Sequence, residues 1–318
     1  MFAAILTTIL FSFSAIFANR SIQDLGSTRA NLGRLLVALL LLGIYAHTFG
    51  PGMGGAGRNW FLISGVIGMG LGDLALFAAL PRLGSRLTIL MCQCIAVPIA
   101  IQAEWLWMDT RLTLPQIGWA ALILVGVTIA LMPSKRHPPK VALTKLGFLF
   151  GFLAAAGQGL GAVVSRHAYE LTVAAGQSIN GISAAYQRIA GGLIITAIYF
   201  TAKRLLIAKQ AQPVSTGFAG VAAATTPTPV HDQDRAKTKR RGVFFMVCNA
   251  LCGPTIGVSC YQWALATTPS GIVLPIVATT PLVIIPLSFW LEGDRTTGRS
   301  ILGGVIAVAG VIALTFVR

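Results

Sequence analysis

Few residues in this chain can do chemistry, and most of them sit where a polar group is costly. Asp73 is the only charged residue in GMGLGDLALFAALP (68–81). An acid in such a run can exchange a proton, hold a cation or pair with an arginine. Glu104 and Glu292 each follow a proline by six residues, Pro98 and Pro286. Arg34 and Arg188 each precede a tyrosine by eleven residues, Tyr45 and Tyr199. A guanidinium can bind a carboxylate through its planar fork, or anchor a helix by reaching to the interface. Gln93, Gln158, Asn249, Gln262 and Thr279 are uncharged polar residues inside apolar runs, and Tyr261 and Trp263 flank Gln262. Such a set can line a mostly apolar pocket with a few polar contacts, although helix-to-helix hydrogen bonding accounts for any one of them.

Other chemistries find no support. There is no phosphate loop, no HExxH and no nucleophile with a base, since His47, His137, His167 and His231 all fall near helix ends or in loops. The five cysteines lie inside apolar runs and make no disulfide framework. Cys248 and Cys252 share a helix face at a spacing that could hold a soft metal, but small packing residues are the reading taken. No cofactor and no metal are expected.

The elements that must position these residues are set by composition. The chain has 318 residues, 55% hydrophobic and 10% charged, with mean hydropathy +0.77. A soluble domain carries about 25% charged residues, so the bilayer is read as the solvent. The net charge of +15 raises nucleic acid as a partner. No basic stripe with interleaved aromatics appears, and the basic residues sit between apolar runs as at a membrane surface. Ten segments can span: 2–18, 34–49, 60–80, 85–107, 114–132, 146–165, 181–202, 242–264, 271–291 and 299–317. The first lacks a basic leader and a cleavage signature, and is read as a retained span. The connection 203–241 is a polar, Pro/Thr/Ala-rich stretch ending in HDQDRAKTKRR, read as a mobile linker. Nineteen of the 24 Lys and Arg fall at the odd-numbered connections. The positive-inside rule then makes those connections cytoplasmic and puts both termini outside.

The chain also repeats itself. ALPRLGS (79–85) matches ALATTPS (264–270), the Pro-to-Glu spacing recurs, and IGWAALILVGV (117–127) echoes LGGVIAVAGV (302–311). Arg34 to Tyr45 echoes Arg188 to Tyr199, and Asn19-Arg20 echoes Ser165-Arg166. The expected architecture is an all-α polytopic membrane protein. It has ten helices in two repeats, 1–132 and 146–318, joined by a basic linker at 133–145. An odd number of spans per repeat forces the two to face opposite ways, a pattern of secondary transporters.

YQWALATTPSGIVLPIVATTPLVIIPLSFWLEGD (261–294) and the Gly-rich last helix resemble the drug/metabolite transporter superfamily, specifically its two-repeat EamA-type members. The resemblance covers nearly the whole chain outside 203–241. It implies ten helices about a pseudo-two-fold axis, a central substrate cavity, alternating access and no cofactor. It also implies cytoplasmic termini, opposite to the charge count. Glu104 and Glu292 match the repeated acid, and their places near helix ends read as structural ties from helix 4 to 5 and from 9 to 10.

Asp73 lies roughly 18 Å into its helix at 1.5 Å per residue, where a carboxylate costs on the order of 2.5–3.5 kcal/mol unless it faces protein or water. Gly65, Gly68, Gly72, Ala75 and Ala79 form a stripe suited to helix packing. Asp73 is roughly 100° away on an ideal helix, in line with Gly70 and Phe77, on a face expected to meet the cavity. The matching residue in the second repeat is Val258. Asp73 is read as titrating during transport, or as binding a cation or pairing with Arg188. Arg34 is read as an interfacial anchor, and Arg188 as able to reach a substrate carboxylate. Gln93, Gln158, Asn249, Gln262, Tyr261 and Trp263 complete the candidate cavity lining. The expected function is transport of a small organic metabolite across the cell membrane, by efflux. The expected assembly is a monomer or weak homodimer, with the substrate and the lipid bilayer as partners. A lipid-modifying membrane enzyme and a non-transporting sensor or scaffold are the alternatives.

Overall fold

The computed structural model describes residues 1–83, 85–132, 143–210, 232–284 and 298–316. Their regular structure is helical throughout, with no strand among the described residues. The first half holds α1 (Phe2–Leu25), α2 (Ser27–Phe49), α3 (Arg58–Leu83), α4 (Ser85–Met108) and α5 (Leu114–Leu131). The second holds α6 (Lys145–Ala174) and α7 (Gly181–Gln210). There follow α8 (Asp232–Ala250, Leu251–Gly257 and Val258–Thr267), α9 (Ser270–Ile284) and α10 (Gly298–Phe316). Eight of these ten, all but α7 and α9, contain stretches long and apolar enough to cross a membrane. The packing is that of a membrane protein. Small residues such as Ala38, Ala100, Ala155 and Ala162 are fully buried, whereas Leu40, Ile44, Ile198 and Val305 point outward. Between helices in lipid, close backbone approach replaces the burial of large side chains.

Helix ends differ from the sequence expectation, and one difference matters for the site. The first span runs on to Leu25 and the second begins at Ser27, with the turn made at Gly26 at φ 80°. The polar residues between the two apolar runs are therefore helical, projecting past the apolar stretch, and are not a loop. Arg34 is consequently the eighth residue of α2, just as Arg188 is the eighth residue of α7. The residues 133–142 of the basic linker and 211–231 of the expected mobile linker lie outside the described residues.

Both α3 and α8 are interrupted by a seven-residue π-helical segment, Val66–Gly72 and Leu251–Gly257. Each ends immediately before a residue the repeat had matched, Asp73 and Val258. The local causes differ: Pro254 lies inside the α8 segment and cannot donate, while the α3 segment, VIGMGLG, has three glycines. Bonding from i to i+5 puts residues five apart on one face, and such segments occur often at functional sites.

Glycine contacts lock the halves together. A Cβ on Gly157 of α6 would stand 2.7 Å from Gly72 Cα and 2.9 Å from Ile67 O. The closing helices α5 and α10 meet in the same way, with an added Cβ on Gly126 falling 2.6 Å from Gly303 O. Gly157→Ala is expected to lower the melting temperature in detergent, at an overpacking cost of about 1–3 kcal/mol, because rigid backbone faces it. Gly304→Ala, with no atom within 4 Å of its added Cβ, should leave it unchanged or slightly raised. Equal melting of the two variants would show that the α3–α6 crossing is not tight.

Candidate functional site

Eight of the ten helices surround a central cavity of about 300 Å³. Its walls come from α1 (Phe11, Ser14, Ala15, Ala18), α2 (Arg34), α3 (Gly68, Met69, Gly72, Asp73, Leu76) and α4 (Cys92, Gln93) in the first half. The second half supplies α6 (Ala154, Gln158), α7 (Arg188), α8 (Gly253, Pro254, Val258, Tyr261) and α9 (Val277). Both π-helical segments face it, so the cavity sits where the two halves meet and where the backbone is least regular. The closing helices α5 and α10 contribute no lining residue.

Three charges line the cavity. Arg34 Nη2 donates to Asp73 Oδ2 at 3.3 Å, and Arg34 Nε donates to Asn31 Oδ1 at 2.8 Å. The sequence reading placed Arg34 at a helix start as an interfacial anchor. Instead, its seven-residue offset from the start of α2 carries it about 10 Å inward at 1.5 Å per residue, within reach of Asp73. Arg188 enters by the same offset along α7, from the opposite end of the bundle. Its side chain is 5% exposed, Nη1 donates to Ser165 Oγ at 3.4 Å, and its Cζ lies 5.4 Å from the Tyr261 ring centroid. Asp73 therefore pairs with Arg34 and not with Arg188.

The uncharged polar residues divide. Gln158 Nε2 donates to Gln93 Oε1 at 2.7 Å, and Cys92 Sγ donates to Gln158 Oε1 at 3.0 Å, a chain along one wall. Asn249 is one bond behind the wall, through Ser14, and Gln262 two, through Ser165 and Arg188. Asn249 Oδ1 accepts from Ser14 Oγ at 2.7 Å, and Gln262 Nε2 donates to Ser165 Oγ at 3.1 Å. Trp263 does not line the cavity. It is 52% exposed and meets Phe2 edge-on at the outer surface, because α8 turns the residue two after Tyr261 to the opposite side. Thr279 bonds back to Ile276 O within its own helix. Ser14 and Ser165 were missed in the sequence, where short hydroxyl residues in apolar helices are too common to stand out.

Gly70, expected to share the cavity face with Asp73, packs on α7 instead, with its added Cβ 2.8 Å from Ile195 Cβ. The π segment advances the helix by an extra residue, so Gly68, five before Asp73, takes the position that an ideal α-helix assigns to Gly70.

Glu104 lies away from the cavity and is 1% exposed. Oε1 stands 2.7 Å from Arg166 Nε and accepts from Ser270 N at 3.0 Å, while Oε2 accepts from Ser270 Oγ at 2.7 Å and Gly271 N at 3.3 Å. It thus joins α4 to α6 and caps the start of α9. The tie from helix 4 to 5 expected from its place near a helix end is not what the side chain makes, because the start of α9 presents unsatisfied N–H groups. Pro98 lies inside an unbroken α4. Glu292 and Pro286 lie outside the described residues. No group of three His, Cys, Asp or Glu able to hold a metal occurs among the described residues.

The model of the EamA-like transporter family matches the chain twice, over residues 1–132 and 145–316. No curated protein matches it. A solved crystal structure superposes with a TM-score of 0.71 at 14% identity, covering 99% of this chain and 98% of that one. That likeness speaks for the fold alone.

Proposed function

Since the chain belongs to the EamA-like transporter family, we propose that it is a secondary transporter of the cell membrane, exporting a small organic metabolite by alternating access. The observation that carries this reading is the cavity between the halves, walled by both π-helical segments and holding Asp73, Arg34 and Arg188 with a few uncharged polar groups among apolar residues. Discontinuous helices at a repeat interface are where secondary transporters hold substrate. On one face of the bundle the loop after α2 is tied to α7 and to the loop that precedes it. Gln187 Nε2 donates to Gly52 O and Gly54 O, both at 2.9 Å, and Ala56 N donates to Gln177 Oε1 at 2.9 Å. Alternating access requires these bonds to break as the other face closes. The protein acts as a monomer or weak homodimer in this reading, with the bilayer as its only large partner. Efflux of amino acids, amines, sugars and organic acids from loaded proteoliposomes, compared with uptake, tests both activity and direction. A panel that moves no faster than through empty vesicles would overturn the reading.

We place both termini outside the cytoplasm, on the distribution of Lys and Arg. In a background lacking the five native cysteines, Ala175→Cys should react with an impermeant maleimide from outside, and Thr216→Cys only after permeabilisation. The reverse pattern would overturn the orientation.

A further inference from the structure

We propose that the cavity recognises its substrate through a carboxylate held on Arg188, and so selects small organic monoanions and carboxylate-bearing zwitterions over amines. The inference rests on the transporter reading and names the substrate class of that same site.

Arg188 is a permanent cation with five N–H donors. It is 5% exposed, its Nε has no acceptor, and among the described residues no carboxylate lies within 4.0 Å of it. An uncompensated guanidinium out of water is costly. The fold nevertheless holds it in place. A Cβ on Gly68 would lie 2.8 Å from its Nη2 and one on Gly161 3.3 Å away, so the two glycines form a slot for the group. Tyr261, also lining the cavity, carries a buried hydroxyl whose one polar partner among the described residues is the Arg188 guanidinium itself. A guanidinium with an unpaired Nε and a hydroxyl held against it therefore stand in the wall of one cavity.

The charge balance points the same way. The lining holds two guanidiniums and one carboxylate, and Asp73 is already taken by Arg34 at 3.3 Å. The remainder is one positive charge, centred on Arg188. A monoanion neutralises it, and a carboxylate fits the fork with two parallel N–H···O bonds. An amine would add a second uncompensated cation. The volume of about 300 Å³ is at the small end for ligand pockets, which limits the substrate to a small molecule.

The test uses compounds matched in skeleton: 3-phenylpropanoate, its amide and 3-phenylpropylamine; hexanoate, hexanamide and hexylamine; neutral amino acids; and phenyl phosphate. Melting of the purified protein reads binding, and flux in proteoliposomes reads transport. At least one carboxylate or amino acid is expected to raise the melting temperature and to cross, while its amide and amine do neither. Arg188→Gln should weaken that response about tenfold or more, the loss expected for a charged hydrogen-bonding partner. Arg188→Lys keeps the charge but not the fork, and should still lose several-fold. It carries the test if Arg188→Gln does not fold. Carboxylates that bind without crossing would keep the anion site and overturn the transporter reading. Amines alone crossing would keep the transporter and overturn the anion site. A response to phenyl phosphate only, no response to any compound, or equal responses in wild type and Arg188→Lys would each overturn the carboxylate assignment.

Discussion

Glu104→Gln is expected to lower the melting temperature and the yield of folded protein sharply, by the equivalent of about 3–5 kcal/mol, the cost of breaking a buried ion pair on one side. The carboxylate of Glu104 receives Ser270 N, Ser270 Oγ and Gly271 N as well as the Arg166 guanidinium. An amide supplies only one oxygen. Its NH₂ would face donors at the start of α9, where the unpaired N–H groups favour negative charge, and Arg166, 14% exposed, would lose its nearer counter-ion and keep only Glu170 at 3.7 Å. Ser270→Ala removes one bond and should cost only about 1 kcal/mol, the ordinary net value of a hydrogen bond. Thermal melting in detergent ranks the two. A Glu104→Gln protein as stable as wild type but inactive in transport would give Glu104 a role in the transport cycle in place of a structural one.

Asp73→Asn is expected to act on transport with little effect on melting. The Asp73–Arg34 pair is partly exposed to the cavity, with side chains 24% and 19% accessible, so its contribution to stability is small. Its place in the lining is what gives it leverage. Protonation of Asp73 would release Arg34 and change the net charge of the cavity, which is how one acid can couple a proton to the substrate. The asparagine keeps the shape and can still accept from Arg34, but it cannot titrate. The mutant should therefore abolish accumulation driven by a pH gradient and retain substrate exchange. Flux in proteoliposomes with and without an imposed gradient separates the two. An unchanged pH profile would leave Asp73 as a hydrogen bonder only, and loss of exchange as well as accumulation would make it part of substrate binding.

Residue order alone determined the solvent, the helical class and the duplication. Long apolar runs have no stable alternative to helices in a bilayer, since every backbone group must be satisfied within the segment. The repeat is visible because both halves keep the same small set of features at matched spacing, including Arg34 with Arg188 and the proline six residues before Glu104 and before Glu292. The Gly65–Gly68–Gly72 stripe was legible too, because close packing in lipid requires small residues. What faces the cavity was not legible, for a reason of phase. Each residue advances an α-helix by about 100°, so the extra residue accommodated by the π segment moved Gly70 off the face of Asp73 and brought Gly68 onto it. Helix ends were blurred for a related reason, since polar residues at 19–33 continue the helices past the apolar run and so bury Arg34 more deeply than hydropathy suggests. Only the tertiary structure decided the partners. In sequence terms Asp73 had Arg188 as its candidate partner and Arg34 was an interfacial anchor, but the crossing of α2 and α3 gave it Arg34. That choice left Arg188 buried against Tyr261 without a counter-ion, because pairing depends on which helices cross, and crossing is a property of the packed bundle.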